Sequence, residues 1–382
     1  MVLNEAMTKR IYVAATSQHI GKTTSTLGLV VALKKVGLRV GYCKPVGQQF
    51  VDLGNLRVDK DALLFSTVMN FDLQPNHHSP VILGKGATTS FLDAPTLFHY
   101  RNDIIQAANW LDRQHELVIY EGTGHPGVGS VVGLSNAEVA KTLNAGVIMV
   151  VEGGIGNTID RLHMSLSLFR EKKVPIIGII INKVIPKKID KIRHYVGTWL
   201  QQNHLPLLGI LPFDQSLSYP IMSTIKKAIW GKVFVNEKKL TNKVENIIAG
   251  SLIKSHNFEK EKNLLLVVSP KRICTALDQI AAICQEQQIK KTPISGIILT
   301  GDGRHIQDSF TGLQCKKYIL DHQIPVLSTK LDTYGSVVKI SRIDVKININ
   351  TPWKTKRAIK LVEENVDLKS IIKGVPAKVF DN

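Results

Sequence analysis

Apolar residues along this 382-residue chain fall into short blocks separated by amphipathic stretches of helical length. In the first half, Arg10–Ala15 and Val40–Lys44 read as strands, with Lys22–Lys35 between them as an amphipathic helix. Asp61–Met69 and Ala94–Arg113 read as helices, and the second carries Ile104, Ile105, Ala108 and Leu111 at helical spacing. Four apolar runs follow, Leu117–Tyr120, Gly146–Val151, Ile176–Ile181 and Leu207–Leu211. The helix-length segments Ala137–Leu143, Ile159–Glu171 and Lys187–Gln201 separate them. Strands buried on both faces read as unbroken apolar blocks, and strand–helix alternation implies right-handed parallel crossovers. Residues 1–214 are therefore expected to form a doubly wound, mostly parallel α/β domain.

The pattern changes after Pro212–Asp214. Residues 215–262 are mixed and lysine-rich, and Ser255–Asn263 is polar enough for a loop. A new alternation begins at Leu264: strand Leu264–Val268, helix Ile273–Glu286, strand Gly296–Leu299, helix Phe310–Asp321, strand Val326–Ser328. Thr355–Asn365 reads as a closing helix. Residues 215–382 are expected to form a second, smaller α/β domain.

With 44% hydrophobic and 21% charged residues the chain can build a core, which excludes disorder, collagen and coiled coil. Its longest apolar runs fall far short of the ~20 residues of a membrane helix. The first ten residues lack the apolar stretch of a signal peptide. Cys43, Cys274, Cys284 and Cys315 form no close pair, so neither a disulfide framework nor a zinc site is expected. A cytoplasmic location without membrane contact is expected. The net charge of +18 favours polyanions in general. No zinc finger, aromatic RNA-binding motif or Gly-Arg tail accompanies it, so nucleic acid is not an expected partner.

The strongest chemical signal is Thr16-Ser17-Gln18-His19-Ile20-Gly21-Lys22-Thr23-Thr24, which follows a strand and opens a helix. That is the context of a Walker A phosphate loop (P-loop). Thr16 stands where the motif's first glycine is usual. The segment His19, Ile20, Gly21, Lys22, Thr23 and Thr24 is expected to line a triphosphate with backbone amides. Lys22 would neutralise the outer phosphates and Thr23 would ligate Mg2+. Nucleotide-driven dimer switches of the partition-ATPase type carry a second lysine near the loop's start; here Ser17 stands in that place.

Five segments carry a family resemblance: IGKTT, GYCKPVGQQ (Gly41–Gln49), DKDALLF (Asp59–Phe65), Tyr120–Gly146 beginning YEGTGHPG, and VEGGIGNTID (Val151–Asp160). Together they resemble dethiobiotin synthetase-like P-loop proteins, in the branch that precedes a DRTGG domain in long phosphotransacetylases and their stand-alone relatives. The resemblance implies that Lys44 meets the transferred phosphoryl group, where positive charge stabilises the equatorial oxygens. It implies Asp61 as the magnesium-associated aspartate, with Asp59 as competitor, and Glu121 as the metal-bound or water-bridged glutamate. It further implies Asn182, ending IIGIIIN, as the adenine-reading amide, and Pro212 as lining the base. A homodimer is also implied. The catalytic set is thus Lys22, Lys44 and Glu121, with ATP and Mg2+ as cofactors and Thr23, Asp61 and Glu121 around the metal.

Two departures alter the substrate end. Ser17 replaces an acidic residue, and EGTGHPG replaces EGAGG, so biotin synthesis is not supported. His19 and His125 lie near the loop in sequence and could act in acid–base chemistry, although solvated loop positions suit both. His77-His78 lacks metal-ligating neighbours.

The second half resembles a DRTGG domain through AGS (Ala249–Ser251), LLLVVSPKR (Leu264–Arg272), SGIILTGD (Ser295–Asp302), Ile324–Ile340 and IKLVEENVD. Lys271-Arg272 and Thr300-Gly301-Asp302 replace its Asp-Arg and Thr-Gly-Gly. The resemblance implies a regulatory or ligand-sensing role. Two functions are expected to compete: γ-phosphoryl transfer from ATP to a small carboxylate or carbamate, and non-catalytic nucleotide-responsive regulation. The second acts on a partner such as an acetyl-phosphate or acetyl-CoA enzyme, since the chain lacks the length for an acetyl-transfer domain of its own. RNA binding through the basic second half is a weaker third.

Overall fold

Six of the aliphatic blocks form one parallel sheet: β1 (Lys9–Ala15), β2 (Val40–Cys43), β3 (Leu117–Glu121), β4 (Gly146–Glu152), β5 (Ile176–Val184) and β6 (Leu207–Pro212). Their order is β6-β5-β4-β1-β3-β2, every pair parallel. The computed structural model describes residues 9–54, 56–250, 253, 258, 261–301 and 315–374. The chain leaves β1 toward one sheet edge, then reverses to fill the other, so the sheet is doubly wound with its switch at β1. Helices α1 (Lys22–Lys35), α2 (Lys60–Met69), α3 (Tyr100–Asp112), α4 (Asn136–Thr142), α5 (Gly156–Glu171) and α6 (Ile189–Gln202) connect the strands. Two apolar clusters fill the two faces: Tyr12, Tyr120, Met149 and Phe169 on one, Ile11, Leu27, Phe65 and Ile180 on the other. The helix expected over Ala94–Arg113 begins only at Tyr100, after a 3-10 turn at Pro95–Leu97. Proline lacks an N–H to donate and restricts the preceding residue, so the helix forms past it.

Residues Gln215–Lys346 make a separate unit. Its sheet joins β7 (Lys232–Val235), β8 (Asn246–Ala249), β9 (Leu264–Val268), β10 (Ile294–Thr300) and β11 (Val326–Thr329) in the order β7-β11-β10-β9-β8. Only the β7–β11 pair is antiparallel. Helices α7 (Met222–Ala228), α8 (Ile273–Glu286), α9 (Lys316–Asp321) and α10 (Thr333–Ser341) belong to the same unit. The lysine-rich stretch 215–262 thus hides two edge strands, KVFV and NIIA, whose three-residue apolar runs are too short to stand out among the polar residues that flank them. Met1–Thr8, Ser251, Asp302 and the Phe310–Gln314 part of the expected helix lie outside the described residues, as does most of the polar Ser255–Asn263 stretch.

The cysteine expectation is corrected here. Cys274 and Cys315 are joined by a disulfide, with their Cα atoms 5.1 Å apart. The sequence separation of 41 residues gave no signal, but the first turn of α8 and the N-cap of α9 bring the pair together.

The boundary of the second domain is corrected as well. Residues Ile347–Asn382 belong with Met1–Asp214, so the second unit is an insertion rather than a terminal domain. The reason is packing. Helix α11 (Pro352–Asn365) lays Ala358 and Val362 against α1, and Val366 pairs with Gly209 on the outer strand β6. Helix α12 (Leu368–Gly374) then accepts the Lys9 ammonium at the Ile372 carbonyl, 3.1 Å away. Arg357 pairs with Asp214, the last residue before the insertion. Gly28 makes this docking possible, because a Cβ there would overlap Val362 and press on the Ala358 carbonyl. Gly28→Ala gains about 1 kcal/mol of helix propensity but meets overpacking of about 1–3 kcal/mol. Net destabilisation is expected in urea unfolding. An unchanged or raised midpoint would show that α11 does not press on α1 there.

Lys354, in the first turn of α11, is fully buried. Burial pulls its ammonium down to about 7. The folded state then binds fewer protons than the unfolded chain above that value, so its stability cost eases as pH rises from 7 toward 10. Lys354→Met removes the cost. The stability gap between variant and wild type is expected to be widest below pH 7 and to narrow by pH 9, read from urea midpoints. A gap that does not change with pH would contradict the assignment.

Candidate functional site

The parallel sheet carries the ends of β1, β2, β3 and β5 to one edge, where open α/β sheets collect ligands. Residues after β1 turn through His19 (φ 60°) and Gly21 (φ 98°) before α1 begins at Lys22. Gly21 is required twice over, by its left-handed backbone and because a Cβ would overlap the Asn182 amide. The first turn of α1 has no side-chain cap and no acidic residue. The positive end of its dipole is left for an anion.

Behind the loop lies a buried ionic cluster. The Lys44 ammonium, just past β2, donates to Asp61 at 2.8 Å, to Glu121 at 3.0 Å and to the Gly122 carbonyl at 3.2 Å. The Thr23 hydroxyl donates to the same Glu121 oxygen at 2.7 Å, and the Tyr42 hydroxyl to the other at 3.3 Å. Tyr42 is itself stacked on Phe65 at 3.6 Å. Lys44 and Glu121 are both buried. Burial favours the neutral amine, but Asp61, Glu121 and Asp59 outweigh it and hold the Lys44 pKa above its ordinary value. Burial raises the Glu121 carboxyl, against the pull of Lys44. Asp59 is pushed up to about 6 by burial, again opposed by Lys44.

The structure separates the two candidate aspartates. Asp59 caps α2, accepting from the Asp61 amide at 2.8 Å, whereas Asp61 turns its carboxylate to Lys44. Thr23 bonds Glu121 directly and Asp61 is linked to it through Lys44, so three hard oxygen groups stand close together. Three buried or half-buried carboxylates, Asp59, Asp61 and Glu121, face two ammonium groups, Lys44 and the nearby Lys22, so carboxylates are in excess there. Both features suit a divalent cation such as Mg2+. Among the described residues no cluster of three or more His, Cys, Asp or Glu is arranged to hold a metal. Mg2+ does not need one, since it binds through one or two protein oxygens together with substrate phosphates.

The remaining predicted residues fall around this cluster. Lys22 donates to the Gly124 carbonyl at 2.6 Å. The carbonyls of His19 and Ile20 accept from the Lys183 ammonium at 2.6 Å and from the Asn182 amide at 2.7 Å. Asn182 also accepts from the Lys183 amide, so its nitrogen braces the loop while its oxygen is held by its own strand. Thr24 lies in the first turn of α1. Pro212 closes the outermost strand β6 and stands opposite Val184, away from the cluster. His125 accepts from the Gly127 amide within its own turn. His77 and His78 stack on Trp110 and Phe71 as packing groups.

Sequence reasoning missed Asn136. Its oxygen accepts from Tyr12 at 2.8 Å and from the Thr123 amide at 3.0 Å, while its nitrogen donates to the Thr123 and His125 carbonyls. This buried amide fixes the EGTGHPG segment that holds Glu121 and receives Lys22. Ser135 and Glu138 form a capping box, a signal in SNAE that places a helix start there. The bracing role of the intervening asparagine leaves no such mark.

The AAA domain family matches residues 9–220. A phosphate acetyltransferase of Nitrosomonas europaea is 22% identical over 377 residues, 95% of this chain and 51% of that protein. One from a Synechocystis species is 24% identical, over 98% of this chain and 54% of that protein. An ATP-dependent dethiobiotin synthetase of Nitrosopumilus maritimus is 26% identical over 227 residues, 57% of this chain and 95% of that protein. The chain spans about half the length of the phosphate acetyltransferases it matches. Among the described residues no helix is long and apolar enough to cross a membrane.

Proposed function

This chain belongs to the AAA domain family, and from that membership and the site geometry we propose that its P-loop domain binds MgATP and passes the γ-phosphoryl group to a small carboxylate or carbamate. The observation that carries the reading is the Thr23–Glu121–Lys44–Asp61 cluster set directly behind the loop. Phosphoryl transfer to an oxygen nucleophile needs positioning and charge stabilisation more than covalent chemistry. A carboxylate or carbamate is already an anion, so no general base is required. Its oxygen attacks the γ-phosphorus as the bond to the β–γ bridging oxygen breaks, and ADP departs. In this reading Lys22 neutralises the outer phosphates and Lys44 the equatorial oxygens, while Glu121 and Asp61 hold Lys44 in place. Thr23, Glu121 and Asp61 would hold Mg2+, which when bound supplies further charge neutralisation. The glycine-rich stretch from Gly122 to Gly133 would receive the organic substrate. ATP turnover screened against small acids, with Lys22→Ala and Lys44→Ala as controls, tests this. Wild type matching both variants on every acid counts against it.

A second reading is favoured by the alignment of nearly the whole chain with half of a phosphate acetyltransferase. In it the P-loop domain only senses nucleotide, and Gln215–Lys346 acts as a DRTGG-like sensing unit toward an acetyl-phosphate or acetyl-CoA enzyme. Saturable ATP binding with turnover at background, together with a nucleotide-linked change in oligomeric state, would favour it.

A further inference from the structure

The loop has a cation that neither the Walker motif nor the buried cluster supplies. Arg161 projects from α5, the helix that follows β4, and donates to the Ser17 hydroxyl at 3.2 Å. Its second described partner is the Asn157 amide oxygen at 2.9 Å, one turn back on the same helix. Both partners are neutral. The other loop-side cation differs: Lys183 sits 3.5 Å from the Glu152 carboxylate while it donates to the His19 carbonyl. Arg161 is half-buried, and Ser17 lies on the limb of the loop opposite the start of α1.

A guanidinium held on a phosphate loop by neutral partners keeps its full charge and its remaining N–H donors for an anion. We propose that Arg161 is a polyphosphate-binding residue, reaching in cis across Ser17 to the phosphates that Lys22 meets from the other limb. This rests on the nucleotide reading above. It adds a binding residue outside the motif and a function for the serine at the second loop position. Ser17 holds the guanidinium in place between binding events, and an incoming phosphate oxygen replaces the hydroxyl as acceptor. Each added phosphate brings more negative charge beside the guanidinium, so the contribution grows from ADP to ATP.

The test titrates ATP and ADP, with Mg2+ present, into the full chain as wild type, Arg161→Gln and Arg161→Lys. Arg161→Gln keeps much of the side chain's length and removes its charge. It is expected to weaken ATP about tenfold, consistent with one lost charge-assisted hydrogen bond, and ADP by less. Arg161→Lys is expected to recover most of the ATP affinity, which a purely bracing role would not allow. Arg161→Gln binding ATP within twofold of wild type overturns the proposal, as do equal losses for both nucleotides that lysine fails to rescue. Wild type that binds neither nucleotide removes the nucleotide reading itself, and the proposal with it. The wild-type titration therefore distinguishes the two failures.

Discussion

Lys22→Ala is expected to weaken MgATP binding by about a hundredfold or more, the loss of charge-assisted bonds worth about 3 kcal/mol. The side chain starts at the first residue of α1 and already reaches across the loop to the Gly124 carbonyl, 2.6 Å away. A bound triphosphate offers that ammonium a far stronger acceptor. Lys22 lies in no apolar cluster, and its charge is only a minor influence on the buried Glu121 carboxyl, so the fold has a small stake in it. The variant should therefore unfold at nearly the wild-type urea concentration while losing nucleotide. Equal loss of stability and binding would show that Lys22 is a structural residue.

The second large effect concerns stability. Lys44→Met leaves Glu121, Asp61 and Asp59 facing one another without the ammonium between them. Removing one partner of a buried ion cluster costs about 3–5 kcal/mol. Burial already raises Glu121, and holds Asp59 up at about 6. Without the cation both should protonate more readily still. A carboxyl whose folded pKa is raised stabilises the fold below its unfolded value and loses that contribution as pH rises through the folded value. The loss in Lys44→Met is thus expected to be largest above pH 7 and smaller near pH 4. Adding Glu121→Gln should restore part of it, since the double variant buries less unpaired charge. Urea midpoints across that range check all three points. A loss that does not change with pH, or a double variant worse than the sum of its parts, would contradict the cluster.

Much of this site was legible because its chemistry is written in local patterns. A strand followed by GKTT and a helix-length apolar stretch places Lys22 and Thr23 without help from the rest of the chain. Continuous apolar blocks gave the six parallel strands, and parallel pairing then obliges Lys44 and Glu121 to share an edge. What stayed hidden depends on long-range packing. The closing helix looked like part of the second domain because its stripe of Ala358, Leu361 and Val362 does not say which partner it will meet. Gly28 on α1 provides the groove for it, and nothing in the helix pattern singles that glycine out. Cys274 and Cys315 carry no spacing signal for the same reason. The resemblance implies Asn182 as the base reader, and its further task of bracing the loop leaves no mark in the sequence. In the fold its side chain donates to the Ile20 carbonyl and accepts from the Lys183 amide. Arg161 belongs to a helix whose own pattern is ordinary, and its position at Ser17 emerges only once β4 brings α5 beside the loop.

Calorimetric titration of the wild-type chain with ATP, with and without Mg2+, tests the central claim most directly. The account predicts saturable binding at one site per chain, strengthened by Mg2+ and abolished by Lys22→Ala. Absence of binding under both conditions, or binding that Lys22→Ala leaves intact, would contradict it.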